Sequence, residues 1–243
     1  MFDVEPTRRS GKTVAIVDAY GYQELEADLA TYRAQFGLPA CSVASGCLTI
    51  LNSNGSSSPL DPDPTDQEGL GWNVETALDV DMASAACPLC KIIVVQATGN
   101  GNSGLEFGQT IAVKQSPDTI SDSWGGGEDS SDLMDEVDYN HAGIGTFVSS
   151  GDDGYTGSPS YPSTSQYVIS VGGTQFDNSG SAEAWGTAND DPALGGAQSG
   201  CSTVIAKQSW APDDSPCGVS SSTTLPPGCR QRRACWRQPG APM

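Results

Sequence analysis

The sequence predicts an α/β fold with a mostly parallel sheet covered by helices on both faces. Two observations carry this reading. Short apolar runs of strand character recur at Thr13–Ala19 (TVAIVDA), Lys91–Ala97 (KIIVVQA), Thr119–Ser123, Ile144–Ser149 and Tyr167–Val171. Segments with helical spacing stand between them at Tyr22–Phe36, Gly71–Cys87, Gly104–Lys114 and Asp129–His141. In such sheets ligands gather at the carboxyl ends of strands, so the loops Ser123–Gly127 and Gly151–Gly154 are the expected places for a site.

Each element has its own signal. Asp18 lies near the end of the first buried-strand pattern. The helix over Tyr22–Phe36 places Leu25, Leu29, Tyr32 and Phe36 along one face, and Gly37-Leu38-Pro39 stops it. Residues 52–70, NSNGSSSPLDPDPTDQEGL, form a Pro/Ser/Asp loop expected to be solvated; its aspartates lack the spacing of a calcium loop. The central helix, GWNVETALDVDMASAAC, leads through Cys87-Pro88 into the next strand. The strand at Thr119–Ser123 runs into Trp124-Gly125-Gly126-Gly127, and that at Ile144–Ser149 runs into Gly151-Asp152-Asp153-Gly154.

The central helix carries the chemistry. Glu75 and Asp79 stand four residues apart, about one helical turn, so both carboxylates project from one face. Two acids this close resist ionising together, which raises one apparent pKa and lets the pair share a proton. Such a pair suits proton transfer in mildly acidic solution, where an unperturbed histidine is already protonated. The competing reading of these two residues is a solvated helix face.

Composition narrows the classes. With 243 residues the chain is long enough for a sizeable core, and a net charge of −19 argues against a nucleic-acid or anionic-membrane partner. No apolar run is long enough to span a bilayer. The opening MFDVEPTRRSGK lacks the apolar stretch of a secretory signal, so either export is not encoded here or the true N-terminus has been lost. Of the eight cysteines, Cys41 with Cys47 and Cys87 with Cys90 are spaced to staple short loops, as in an exported protein. A zinc site on Cys87-Pro-Leu-Cys90 would need a second ligand pair, and there is a single histidine. That histidine, His141, ends a predicted helix, where capping or a surface role is expected rather than a Ser-His-Asp triad. No Asp or Glu follows Asp214, while Arg230, Arg232, Arg233 and Arg237 crowd the end. The expected organisation is therefore a disordered segment over 1–12, a domain over 13–210 and an aberrant or disordered tail over 211–243.

Taken in order, several stretches resemble the sedolisin family, the serine-carboxyl peptidases. They are TVAIVDAY (13–20), DLATYRAQFGLPAC (28–41), the Glu75…Asp79 helix, SDSWGGGE (121–128), SSGDDG (149–154), YPSTSQYVISVGGT (161–174) and WGTANDDPALGGAQSGCS (185–202). The resemblance implies a subtilisin-like three-layer α/β/α fold, incomplete at the C-terminus, and serine-type endopeptidase activity at acidic pH. It implies that Glu75 is the general base for the nucleophilic serine and that Asp79 orients it and shares its proton. Asp152 would be the protonated oxyanion donor. Ser123, Trp124, Gly125 and Gly126 would bind an extended peptide through its main chain.

One part of the family pattern is missing. The nucleophile belongs to a Gly-Thr-Ser motif, and no Gly-Thr-Ser occurs in the sequence; Ser202, in Gly200-Cys201-Ser202, is a poor substitute. The chain is expected to be truncated, or to run in another frame, beyond about residue 210, and to be inactive as written. The family's calcium site falls in the same lost segment, so no cofactor is expected here. A polypeptide substrate, a monomeric state and an extracellular location follow from the resemblance. The alternatives are a non-catalytic peptide-binding module or a non-functional fragment.

Overall fold

The computed structural model describes residues 11–57, 60–64, 71–155, 158–186, 195–210 and 217. Nearly all of the expected N-terminal segment and tail lie outside these residues. The chain forms two compact units, residues 1–124 with 137–148, and residues 125–136 with 149–243.

In the first unit, five parallel strands lie in the order β2 (Leu48–Asn52), β3 (Lys91–Ala97), β1 (Thr13–Ala19), β4 (Thr119–Asp122) and β6 (Gly145–Ser149). β-branched residues at alternate positions let both faces of the central strands pack. Ile16 of β1, with Ile92 and Val94 of β3, joins Leu25 and Leu29 of α1 (Leu25–Gln35) and Val80 of α2 (Trp72–Ala86) in one core. The alternate residues Val17, Val95 and Ala97 face Gly108 of α3 (Asn102–Lys114) instead, and a Cβ at Gly108 would lie 2.8 Å from Val17 Cγ1. Helices thus cover both faces, giving the three-layer arrangement. The β3–α3–β4 connection carries the chain across β1, which makes the β1/β4 edge the point where the winding changes direction. This is the position where α/β sheets open a crevice at their strand ends.

Several expectations need correction. The helix predicted over Tyr22–Phe36 is shorter, and its buried stripe is Leu25, Leu29 and Arg33, while Phe36 in the last turn is exposed. Arg33 can be buried because its guanidinium donates to Pro39 O and Ser84 Oγ, and to Pro88 O at 2.7 Å. The loop 52–70 is not simply solvated: Asn52, Ser53 and Asp63 are buried. Gly21 N donates to Asp61 O at 2.9 Å, and Trp72 N at the start of α2 donates to Asp63 Oδ2 at 3.4 Å. These bonds tie the loop to the body and supply an acceptor for one of the helix's free N-terminal donors.

In the second unit, β5 (Gly126–Gly127) pairs antiparallel with β8 (Ser160–Tyr161), and β7 (Asp153–Tyr155) pairs parallel with β12 (Gly196–Ser199). β10 (Thr174–Phe176) pairs antiparallel with β11 (Ala182–Ala184), and β9 spans Val168–Val171. These strands of two to four residues are too short to leave a clear periodic pattern, and none but β9 is expected from the sequence. The helix predicted over Asp129–His141 shrinks to α4 (Asp132–Asp135) and a 3₁₀ turn at Glu136–Asp138. The Asp129 carboxylate accepts from Ser131 N at 2.6 Å and that of Asp132 from Asp129 N at 2.9 Å, bonds that compete with regular helix. Leu133, Met134 and Val137 are exposed, and the buried side of the segment carries Asp132, Glu136 and Tyr139, so two of its three buried positions are acids rather than apolar residues.

Cys41–Cys47 and Cys87–Cys90 are disulfides, and a third joins Cys201 to Cys217. The cysteines of Cys87-Pro-Leu-Cys90 are thereby committed to each other rather than to zinc. Among the described residues no helix is long and apolar enough to cross a membrane.

Candidate active site

α2 begins after Gly71, and its inward stripe is Thr76, Val80 and Ser84. Glu75 and Asp79 flank that stripe, each half-buried, one turn apart. Glu75 sits in the first turn, where the free N–H groups and the helix dipole favour negative charge. The Asp79 carboxyl is pinned at one end, its Oδ1 accepting from Ser123 Oγ at 2.8 Å. Its Oδ2 is buried with no partner. Burial raises the Asp79 pKa to about 6 against the opposing pull of the Ser123 hydrogen bond.

Two further acids close on this pair. Asp18 lies near the end of β1 and is fully buried, and the Thr76 side chain is the one donor that opposes its raised pKa. Burial holds its pKa well above the ordinary carboxylate range, and the charges of Asp79, Glu75 and Asp122 add to that. Asp122, the last residue of β4, is likewise buried with both oxygens unpartnered, raised by burial and then by Asp79. The described residues thus bring four carboxyl groups together on β1, α2 and the end of β4. A cluster of this kind can hold protons that isolated acids would have released, and can trade them between neighbours.

Neither Asp18 nor Asp122 is a site residue by sequence reasoning. The usable signal is an acid closing an apolar strand where the sheet's winding reverses.

The other expected residues fall as follows. Ser123 positions Asp79. Trp124 is buried, and its Nε1 donates to Val17 O at 3.1 Å, holding the ends of β4 and β1 together. Gly125 and Gly126 belong to the second unit, where Gly126 pairs with Tyr161. A Cβ at Gly125 would lie 3.0 Å from Tyr161 O and 3.3 Å from Ser160 Cβ, so only glycine fits this approach comfortably.

Asp152 also belongs to the second unit. Its carbonyl accepts from Gly196 N at 2.6 Å, and Gly151 before it has φ +100°. Backbone clamping of this sort leaves the exposed Asp152 carboxyl as the free part of the turn. Ser202 is occupied: its Oγ donates to Glu128 Oε1 and accepts from Ile205 N at 2.7 Å and Val204 N at 3.1 Å. His141 lies in the turn beyond the 3₁₀ segment, where its carbonyl accepts from Ile144 N at 3.2 Å. Among the described residues no three His, Cys, Asp or Glu side chains are arranged to hold a metal ion.

A three-layer parallel sheet with an acid-bearing helix at its switch point is the architecture of a subtilisin-like peptidase. The model of the subtilase family, peptidase S8, matches residues 73–209. Kumamolisin from Bacillus sp. (strain MN-32) is 30% identical over 218 residues, covering 82% of this chain and 37% of kumamolisin. The solved Pseudomonas sedolisin, a serine-carboxyl proteinase complexed with two molecules of pseudo-iodotyrostatin, is 25% identical with a TM-score of 0.63. That match covers 82% of this chain and 60% of the sedolisin chain. The chain belongs to the subtilase family, and its fold is of the sedolisin kind. It spans 37% and 60% of the lengths of these two relatives.

Proposed function

We propose that this chain carries the base and oxyanion parts of a serine-carboxyl endopeptidase centre that works in acid. The observation that carries the proposal is Asp79: a half-buried carboxyl raised to about 6, one turn from Glu75 and fixed by Ser123. In the reaction, Glu75 would take the proton of an attacking serine hydroxyl as the bond to the substrate carbonyl forms. Asp79, holding a proton in mild acid, would donate a hydrogen bond that orients Glu75. Asp152 would donate to the oxyanion of the tetrahedral intermediate. Similarity to kumamolisin and to Pseudomonas sedolisin supports a peptidase and a polypeptide substrate. Three disulfides support an extracellular place of work.

The nucleophile is the part not found here, since the sequence contains no Gly-Thr-Ser. The chain by itself is therefore expected to bind peptide without turning it over. β5 favours that second reading specifically: among the described residues its only strand partner is β8, which leaves one edge for an added strand.

The test is carboxyl NMR together with proteolysis of a denatured protein scanned over about pH 3 to 7. Asp79 should titrate near pH 6, and Ser123→Ala should raise it further by removing a bond to the charged form. An Asp79 that titrates like a free aspartate would sink the assignment. Cleavage lost in both Glu75→Gln and Asp152→Asn would keep the acid centre and overturn the expected inactivity. Cleavage indifferent to both would overturn the roles given to them.

A further inference from the structure

β4 separates two buried layers, and the chemistry above uses only one of them. Side chains alternate between the two faces of a strand, and neighbours in register share a face. Ser121 pairs with Ile16, which packs against α1 and α2. Ser121 and Ser123 therefore lie on the α2 side, where Ser123 meets Asp79. Asp122 projects to the opposite face together with Ile120. On that face β6 sets Val148 beside Asp122 and Thr146 beside Ile120. Thr146 Oγ1 accepts from Nε2 of Gln109 on α3 at 3.3 Å, so this is the layer of α3.

Two acceptors are stranded there. Asp122 is 1% exposed with neither oxygen partnered, and Gln109 is fully buried with Oε1 unpartnered. Buried acceptors without donors are costly, and one proton between these two would satisfy both. The surroundings favour holding it. Ile120 and Val148 are fully buried apolar neighbours. The buried stripe of α3 (Leu105, Gly108, Gln109 and Ala112) is uncharged, and Glu106 and Lys114 lie off it. β6 carries no charge, and Asp138 of the 3₁₀ turn accepts from Thr110 Oγ1 at 3.1 Å. The charges that act here are those of acids: Asp79 adds to the effect of burial in raising Asp122, and Asp122 in turn raises Asp18.

We propose that Asp122 is a positioning residue of the acid centre, a neutral carboxylic acid that donates to Gln109 Oε1 and thereby holds Ser123 on Asp79. The inference rests on the acid-centre reading of Glu75 and Asp79. Asp122 and Ser123 are consecutive, so a bond on one face of β4 fixes the residue that serves the other. Once ionised, Asp122 has no hydrogen to donate and becomes an unpaired charge in an apolar layer. The strand end then loosens, and Ser123 with it.

The experiment uses the full chain, with infrared difference spectra for protonated carboxyl groups and carboxyl NMR for Asp79. At about pH 5 a protonated-acid band should disappear in Asp122→Asn and move to higher frequency in Gln109→Leu, which removes its acceptor. Asp122→Leu should raise Asp79, the direction expected of Ser123→Ala, because Ser123 no longer steadies the ionised carboxyl. Asp122→Asn should leave Asp79 near its parent value, since an amide N–H donates to Gln109 at any pH. Gln109→Leu should raise Asp79 in the parent and do nothing further in the Asp122→Leu background. The Gln109 substitution decides the matter alone if Asp122→Leu fails to fold. An Asp79 at about 6 in the parent and unmoved by Asp122→Leu and Gln109→Leu would overturn the positioning role and leave the acid centre standing. An ionised Asp122 in the same sample would overturn it as well. An Asp79 that titrates like a free aspartate in the parent would overturn the acid centre and the positioning role together.

Discussion

The acids of the two units live under opposite conditions. In the first unit Asp122 is buried with no donor at either oxygen, Asp18 is buried with only the Thr76 side chain opposing its raised pKa, and Asp79 has a donor at one oxygen. In the second unit Glu128 is met by a hydroxyl and an N–H, and Asp177 by Ser179 and Ser181. Burial raises the first set, while the serine donors hold Asp177 below its usual value. The same residue type thus serves as a proton store in one place and as fixed charge in the other. Solvation and donors decide which, and residue identity does not.

The largest effect expected is in the pH dependence of stability. Because the folded pKa values of Asp18, Asp79 and Asp122 lie above the unfolded value, their contribution is complete below about pH 4 and is lost as pH rises through the folded values. For Asp79 the window is about pH 4 to 6, worth about 3 kcal/mol. Denaturant unfolding at pH 4 and pH 8 should show a less stable protein at pH 8. Asp122→Asn should flatten the slope by removing the charge that high pH creates. A parent protein equally stable at both values would break the contrast between the units.

Next in size is Arg33→Leu. Arg33 is the buried cation of the first unit, yet its described partners are two carbonyls and a hydroxyl rather than any of the acids. Removing it strands those acceptors, for an expected loss of about 3 kcal/mol in the denaturant midpoint analysis. The loss should be the same at pH 4 and pH 8, because no acid depends on it. A pH-dependent loss would show that Arg33 does compensate the carboxyl cluster.

Gly108→Ala should cost about 1 kcal/mol, since Val17 is fully buried and its Cγ1 lies in the path of the new methyl. In a Val17→Ala background the cost should vanish, a double-mutant cycle that checks the contact itself. The smallest effect belongs to the second unit. Asp177→Ala should speed hydrogen exchange at the Ser179 and Ser181 amides and leave the global unfolding midpoint where it was.

Much of this was readable before any coordinates. β1 and β3 fall on their apolar runs, and Glu75 and Asp79 on one helix, because local periodicity is enough to place them. Arg33 and Phe36 exchange roles relative to the sequence reading, since both positions lie near the same helical face and only the fold supplies acceptors for a guanidinium. Asp18 and Asp122 stay invisible for a similar reason: an acid after an apolar run looks like the start of a turn until neighbouring strands and α2 enclose it. β5 depends on Gly126 and Gly127 pairing with residues more than thirty positions away, which no local pattern encodes.

The seven residues Ser121–Gly127 behave as a ruler. Asp122 enters the carboxyl cluster, Ser123 reaches Asp79, Trp124 locks onto Val17, and Gly126 and Gly127 pair with β8. Each task belongs to a fixed tick, and adding or removing one residue would hand every task to the wrong side chain. Related proteins should therefore vary here by exchanging letters at constant length, and a natural insertion at this spot would announce a chain that has given up the acid centre or the β5 pairing.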